Sequence, residues 1–548
     1  MKRILGFCSF FAFTLPVLLL LAPSLYPFHS YHLPNSLFLE YASNTFVFVF
    51  GVGFLSTAFG VSAACSVAFL RFPGRSFIRY MLFLPLAIPS YISALGYTSF
   101  LEFSGPLCTF FREVLGLNIH FNIRSIWGGI FVMSVSLYPY VYLITLSRLS
   151  SANNFVAIAR MCGKSFIQSV KEVLIPISRP AIFAGLAIVV MEVISDFGVS
   201  QFFGIQTFAA GIYRAWFLLH DSVHTSRLVL LLLSFVAVAV FFEKRSRRNT
   251  NYKEFMSYSF SSTWQLKGLK SFFAFFLLFL LPFFGLIFPI FCLILLSLQS
   301  SFDLSILNLV FNSIGVAFVT AVFCVLCAFI LIYLKHEKKI SKLLFNFSVL
   351  GYAIPGLVVG IGIMNFLSYS VSALDFLHNA IFRSTTNFVA VGTFFSLVYS
   401  YVFRFLAVGT NSMQSGMERI PKEVKWSLKL MNRGGFSDNL SFYLPMMIRY
   451  LISAFVLVFL DTIKELATTL TVRPFNFDTM STKIYDLVMN ERYAEAALPS
   501  LVCAGVCLAS VALLMNLLYS KKFHRKKYGS KGRCTCDICI NNKNGLHC

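Results

Sequence analysis

Runs of about twenty apolar residues recur about twelve times along this chain, and nothing else limits its fold so tightly. About 20 apolar residues is the length at which a helix crosses the hydrocarbon of a bilayer. Within lipid the backbone must satisfy its own hydrogen bonds, which leaves helices and closed barrels as the options. The runs fall near 6–26, 44–70, 79–102, 127–147, 181–203 and 228–243, then 271–297, 310–334, 343–367, 388–408, 449–472 and 499–520. Composition agrees: 57% of the 548 residues are hydrophobic and 12% charged, where soluble domains carry roughly 25% charged residues. The expectation is an all-α integral membrane protein with about 12 transmembrane helices. Residues 1–27 begin like a secretory signal, with Lys2 and Arg3 ahead of an apolar run. That run is of spanning length and lacks a small-x-small cleavage site, so it reads as an uncleaved first span.

The net charge of +23 points away from nucleic acid and towards membrane topology, because Lys and Arg gather in loops on the cytoplasmic side. Arg71, Arg75 and Arg79 mark one such loop, and Lys335, Lys338, Lys339 and Lys342 mark another. A third basic stretch holds Lys244, Arg245, Arg247, Arg248 and Lys253. This asymmetry places both termini in the cytoplasm. The thirteen Cys are scattered; Cys65, Cys292, Cys324 and Cys507 sit in apolar runs, where Cys behaves as a small hydrophobe. No disulfide is expected.

The two halves repeat. Asn44-Thr45 answers Asn312-Ser313 at an offset of 268, and AIPSY at 87–91 answers AIPGL at 353–357 at 266. Six spans precede the repeat, so both halves enter the membrane with the same orientation, and the pseudo-symmetry axis lies along the membrane normal. The domains read as 1–243, a first half of six spans; 244–270, a basic linker; 271–520, a second half of six; and 521–548, a basic tail.

Each half carries one polar, basic loop: 155–176 in the first and 420–445 in the second. Each closes on a proline, Pro176 or Pro445, and thirteen residues upstream stands Gly163 or Asn432. Gly and Asn are the residues that most readily take a positive φ. A helix, a left-handed turn, a second helix and a proline at the membrane entry are expected. Gly163-Lys164-Ser165 imitates the end of a phosphate-binding loop, but Ile158 stands where its first glycine belongs and no strand precedes it. The chain is therefore not expected to be an enzyme, and no catalytic residue is assigned.

Acids follow each loop. Glu192 and Asp196 lie in one span, Asp461 and Glu465 in the other, again 269 residues apart. A spacing of four puts both members of a pair on one helical face. Ionised groups inside a membrane usually face a water-filled or protein interior, so these acids are candidates for a translocation path. The alternative is a packing role, with Lys464 neutralising Asp461 or Glu465. The tail RCTCDICINNKNGLHC offers Cys534, Cys536, Cys539 and Cys548 as a thiophilic metal site; the other reading is a disordered basic end. His29, His32, His220, His224 and His378 fall in loops on the other side, as scattered surface histidines or in handing over a substrate.

The spacing of the two loops resembles the EAA loop of ABC-importer permeases, E-A-A-x3-G-x9-I-x-L-P. Ala159, Gly163, Val173, Ile175 and Pro176 match in the first copy; Leu444 and Pro445 match in the second, with Asn432 in place of the glycine. The motif's glutamate is replaced by Ala157 in one and by Trp426, followed by Ser427, in the other. MEVISDFGVSQFFG (191–204), QTFAAGIYRAWF (206–217) and DTIKELATTLTVRPFNFDT (461–479) look like the fused, two-half permeases of ferric-ion ABC importers. The resemblance implies a type I ABC importer fold (MetI-like) in the bacterial inner membrane, in contact with lipid and not with nucleic acid. It implies two copies of an ATPase subunit docked on the loops, a periplasmic substrate-binding protein on the other face, and ATP-driven alternating access for Fe³⁺. No cofactor is expected on this chain; ATP and Mg belong to the ATPase. Thiamine, polyamine, phosphonate or another anion is the alternative cargo, and a secondary transporter is the rival class.

Overall fold

The computed structural model describes residues 15–25, 35–118, 121–150, 159, 161–248, 264–300, 305–336, 345, 350–382, 390–420 and 436–519. Of the residues singled out from sequence, Ala157, Trp426, Ser427, Asn432, His29, His32 and the four tail cysteines lie outside them.

The described chain is helical apart from one parallel two-residue pairing of Leu70–Arg71 with Trp264–Gln265. The long helices are α1 (Asn35–Phe69), α2 (Ser90–Leu101), α3 (Ile126–Ser150), α4 (Ile175–Ser195) and α5 (Ser222–Arg248). They continue with α6 (Leu269–Ser297), α7 (Ser305–His336), α8 (Gly356–Phe382), α9 (Phe394–Glu418), α10 (Phe436–Lys464) and α11 (Tyr493–Tyr519). Among the described residues eight helices are long and apolar enough to cross a membrane. The pair Arg75–Ala87 and Ser90–Val114, bent by 94°, has the combined length and apolarity of one broken span or a re-entrant loop, which bounds the crossings at eight or nine. The sequence expectation was about 12. Part of the difference is the first run, of which only residues 15–25 are described. The rest is chemistry: the apolar part of α8 is short, 356–372, and α9 carries Ser396, Ser400, Arg404 and Thr410 on buried positions. A helix whose polar groups are buried against protein has no need of the apolar surface that identifies a lipid-facing span.

Two like triads organise the bundle. In the first, α1, α3 and α4 pack on one another; in the second, α7, α9 and α10 do so. The repeated Asn-Thr and Asn-Ser steps do the same work in each. Asn44 donates to the Gln206 carbonyl at 3.2 Å, and Asn312 to that of Asp478 at 3.1 Å. Thr45 Oγ1 accepts from the Phe208 amide at 3.1 Å, and Ser313 Oγ from that of Met480 at 2.7 Å.

The halves exchange their opening helices. Gly96 of α2 faces the backbone of α6, where a Cβ would sit 2.9 Å from the Pro289 carbonyl oxygen. Gly362 of α8 meets the chain's first segment in the same way, 3.0 Å from the Pro16 carbonyl oxygen. Tyr97 seals the first of these crossings by donating to the Phe284 carbonyl at 2.7 Å. The main core accordingly draws on both halves, from Phe48 to Val511.

Candidate functional site

The acid-bearing helices both break where their acids lie. Helix α4 ends at Ser195, and Asp196 is already extended, at φ −70° and ψ 123°. Helix α10 ends at Lys464, and a short helix, Ala467–Val472, follows. The expectation that each pair shares one helical face is therefore corrected: the second acid of each pair stands at the break. The reason is the orphaned amides of the helix that follows. Asp196 Oδ2 accepts from the amides of Val199 (3.0 Å) and Ser200 (3.1 Å). Glu465 Oε1 accepts from the Thr468 amide (2.9 Å) and hydroxyl (2.7 Å). Asp196 and Glu465 thus act as caps.

The first acids of the pairs face a cavity of about 130 Å³ between the halves, which Glu192, Asp196, Asp461, Lys464 and Glu465 all line. This is room for a small solute with some water, since a water takes about 30 Å³ in the liquid. Tyr91, Tyr140, Tyr352 and Arg404 also stand in its polar wall, with Ser90, Ser136 and Ser195. Tyr352 donates to Glu192 Oε1 at 2.5 Å. Asp461 receives no hydrogen bond from any described residue. Lys464 donates to the carbonyl of Leu86, across the interface. Its described hydrogen bond goes to that carbonyl, while its charge lies near enough to Asp461 to act on it, in line with the neutralising role considered from sequence. Glu465 is paired instead by Arg404, whose Nε lies 3.4 Å from its Oε2; both residues are 8% exposed. Arg404 Nη1 has no hydrogen-bond partner among the described residues. Four carboxylates against two cations give the cavity a formal excess of negative charge.

The AIP repeats supply the cross-half clasps. Leu86, just before AIPSY, accepts from the α10 end; Tyr352, just before AIPGL, donates to α4. Tyr140, Tyr352 and Arg404 were not singled out from sequence. Arg404 left a signal: a lone arginine within the apolar run 388–408, the kind of residue that marks a functional interior. The tyrosines left none, because 23 Tyr are spread through the chain.

The first loop is visible from Met161 on. Gly163 takes φ 74°, and the Lys164 amide closes the turn on the buried Ala159 carbonyl at 3.1 Å. Lys164 pairs with Glu172, and Ser165 and Gln168 form a capping box. The expected second helix does not stop short of the proline at the membrane entry. A helix starting at Phe166 runs through Pro176 to Ser195, with a π-turn at Val170–Leu174 just ahead of the proline. Such a turn re-spaces the ladder where proline has no amide to give. Pro445 likewise lies inside α10. Met161 and Ile167 stand 88% and 66% exposed at the loop surface. Within the stretches expected as outer loops, His220 holds φ 51° and His224 sits on Asp221, 4.0 Å away.

Residues 56–248 match the family described as "Binding-protein-dependent transport system inner membrane component". Over 474 residues the chain is 23% identical to the Fe(3+)-transport system permease protein FbpB 2 of Haemophilus influenzae, which covers 83% of this chain and 86% of that protein. It is 26% identical over 160 residues to the sulfate transport system permease protein CysT of Salmonella typhimurium, covering 29% of this chain and 56% of the relative. A probable molybdenum ABC transporter permease of Haloferax volcanii is 25% identical over 170 residues, or 30% and 59% of the two chains. Two like triads of helices close on one polar cavity, and the chain, a multi-pass membrane protein by its apolar helices, is similar over most of its length to a permease of binding-protein-dependent transport.

Proposed function

We propose that this permease carries Fe³⁺ through the cavity between its halves by ATP-driven alternating access. The observation that carries the reading is the meeting, in one small space, of acids from equivalent places in both halves. Ferric ion is small and hard and prefers oxygen ligands, and the wall offers carboxylates with a net negative charge. The extended similarity to an Fe(3+)-transport permease supports the same cargo. In this reading the chain has twelve spans in two halves, 1–243 and 271–520, joined by the linker 244–270, with both termini and the tail 521–548 in the cytoplasm. A periplasmic binding protein delivers the ion. Two ATPase subunits grip the loops 155–176 and 420–445, and their closure rocks the halves as rigid bodies. ATP and Mg are used by that subunit alone.

The test is radiolabelled ferric uptake in cells that rely on this system, normalised to permease in the membrane. Glu192→Gln and Asp461→Asn keep size and remove charge, and each should lower uptake several-fold while ATPase subunits still co-purify. Full uptake in both variants would return the acids to packing. A second reading, an oxyanion cargo, is favoured by the unpartnered Arg404 Nη1 and by the sulfate and molybdenum relatives. Inhibition of labelled sulfate or molybdate uptake by loss of the chain, with iron uptake unchanged, would establish it.

A further inference from the structure

The four acids do not form a metal site by themselves. Asp196 and Glu465 are occupied as caps, and no three acidic, imidazole or thiol groups among the described residues stand close enough to share an ion. What faces the cavity is a different oxygen set: Glu192 and Asp461, with the phenols of Tyr352 and Tyr140 in the same wall. Within that set the Tyr352 phenol donates to Glu192 at 2.5 Å, and the Tyr140 and Tyr352 phenols hydrogen-bond each other. Opposite in character is Arg404, 92% buried by its 8% exposure and lining the same cavity with Nη1 unpartnered. A buried donor without an acceptor is costly, so the cavity is complete only when its occupant brings an acceptor too. Hydrolysed ferric ion does so: it combines a hard cation with hydroxide ligands.

We propose that Tyr352 is a ligand of the passing ferric ion, with Glu192 as its proton acceptor, Asp461 and Tyr140 as further oxygen ligands, and Arg404 holding an iron-bound hydroxide. This rests on the iron reading above and adds to it the residues that touch the ion. In the binding step the Tyr352 O–H bond breaks, its proton passes along the existing hydrogen bond to Glu192 Oε1, and the phenolate oxygen forms the Fe–O bond as a bound water leaves the hydrated iron. Iron remains ferric, and no electron moves. Release is the reverse: the proton returns from Glu192 as the Fe–O bond breaks, so the site can let go as well as hold, which a path requires. The asymmetry of the halves fits this. Leu86 occupies the place before AIPSY that Tyr352 holds before AIPGL, so one phenol, not a pair, reaches an acid this way.

The experiment titrates the purified full-length permease with ferric nitrilotriacetate and follows visible absorption, since phenolate bound to iron(III) gives a charge-transfer band that carboxylates do not. The band should appear with the wild type, vanish in Tyr352→Phe, weaken in Tyr140→Phe, and persist in Tyr369→Phe, an exposed surface tyrosine. Labelled iron uptake by Tyr352→Phe should fall several-fold. Glu192→Gln guards against a misfolded Tyr352→Phe: without the proton acceptor, the band should need a higher pH to develop. Iron uptake through the wild type with no band, or a band indifferent to Tyr352, overturns the phenolate proposal and leaves the iron reading standing. Absence of iron uptake by the wild type in cells and in vesicles overturns the iron reading itself.

Discussion

Arg404 and Glu465 form a buried ion pair in the wall of the cavity, each only 8% exposed. Removing one partner of a buried ion pair costs about 3–5 kcal/mol, since the other charge stays behind. Arg404→Leu should therefore lower the thermal midpoint of the detergent-solubilised permease markedly, by more than any surface Arg→Leu change. Gly356 adds a steric check on the same pair: a Cβ there lands on Arg404 Nη1 and Glu465 Oε1, whereas one at Gly315 meets open space. Gly356→Ala should shift the midpoint in the direction of Arg404→Leu, and Gly315→Ala should leave it in place. Equal midpoints for Gly356→Ala and Gly315→Ala would mean the pair is not held as described. The acids could be read from sequence because a charge in an apolar run is conspicuous. Which of them face the cavity could not, because a carboxylate at i+4 lies on the same helical face only if the helix continues to that position.

At the level of elements, the breaks after Ser195 and Lys464 and the turn at Gly163 set the shape of the working parts. A positive φ of 74° with nothing near the glycine means that a substitution there acts through the backbone alone. β-Branched residues tolerate this region poorly and Asn tolerates it well. Gly163→Val should uncouple ATP hydrolysis from transport while the permease still inserts, and Gly163→Asn, the residue of the second loop, should retain coupling. The measurement is substrate-stimulated ATPase activity of the reconstituted complex; coupling retained in Gly163→Val would remove the turn from the lever. The proline that signalled each loop was legible as a position. Its consequence was not: whether Pro176 ends a helix depends on whether the preceding turn can re-space its ladder, as the π-turn at Val170–Leu174 does.

For the whole molecule, the exchange of opening helices makes each half a part of the other's packing. Gly96 on the Pro289 backbone of α6, Gly285 of α6 on the Val135 carbonyl of α3, and Gly362 on the segment around Pro16 are close approaches of backbone against backbone. A chain severed within residues 249–263 should therefore yield fragments that are each degraded when expressed alone and co-purify when expressed together. A stable, monodisperse single half would contradict the exchange.

The amino-acid sequence by itself determined that the chain is a bundle of membrane helices, that short motifs recur at near-constant offsets, and that a polar loop and a pair of acids recur with them. These follow from local quantities: the length of an apolar run, the spacing of a repeat, the charge of a residue in apolar surroundings. Tertiary structure alone decided which residues meet. Tyr352 reaches Glu192 over 160 positions, and Lys464 reaches Leu86 over 378; Arg404 lies against Glu465 rather than any nearer acid. Hydrogen bonds and ion pairs act over a few ångströms, so partners this far apart along the chain are chosen by how the helices cross, and the crossings are set by packing that no single stretch of sequence contains.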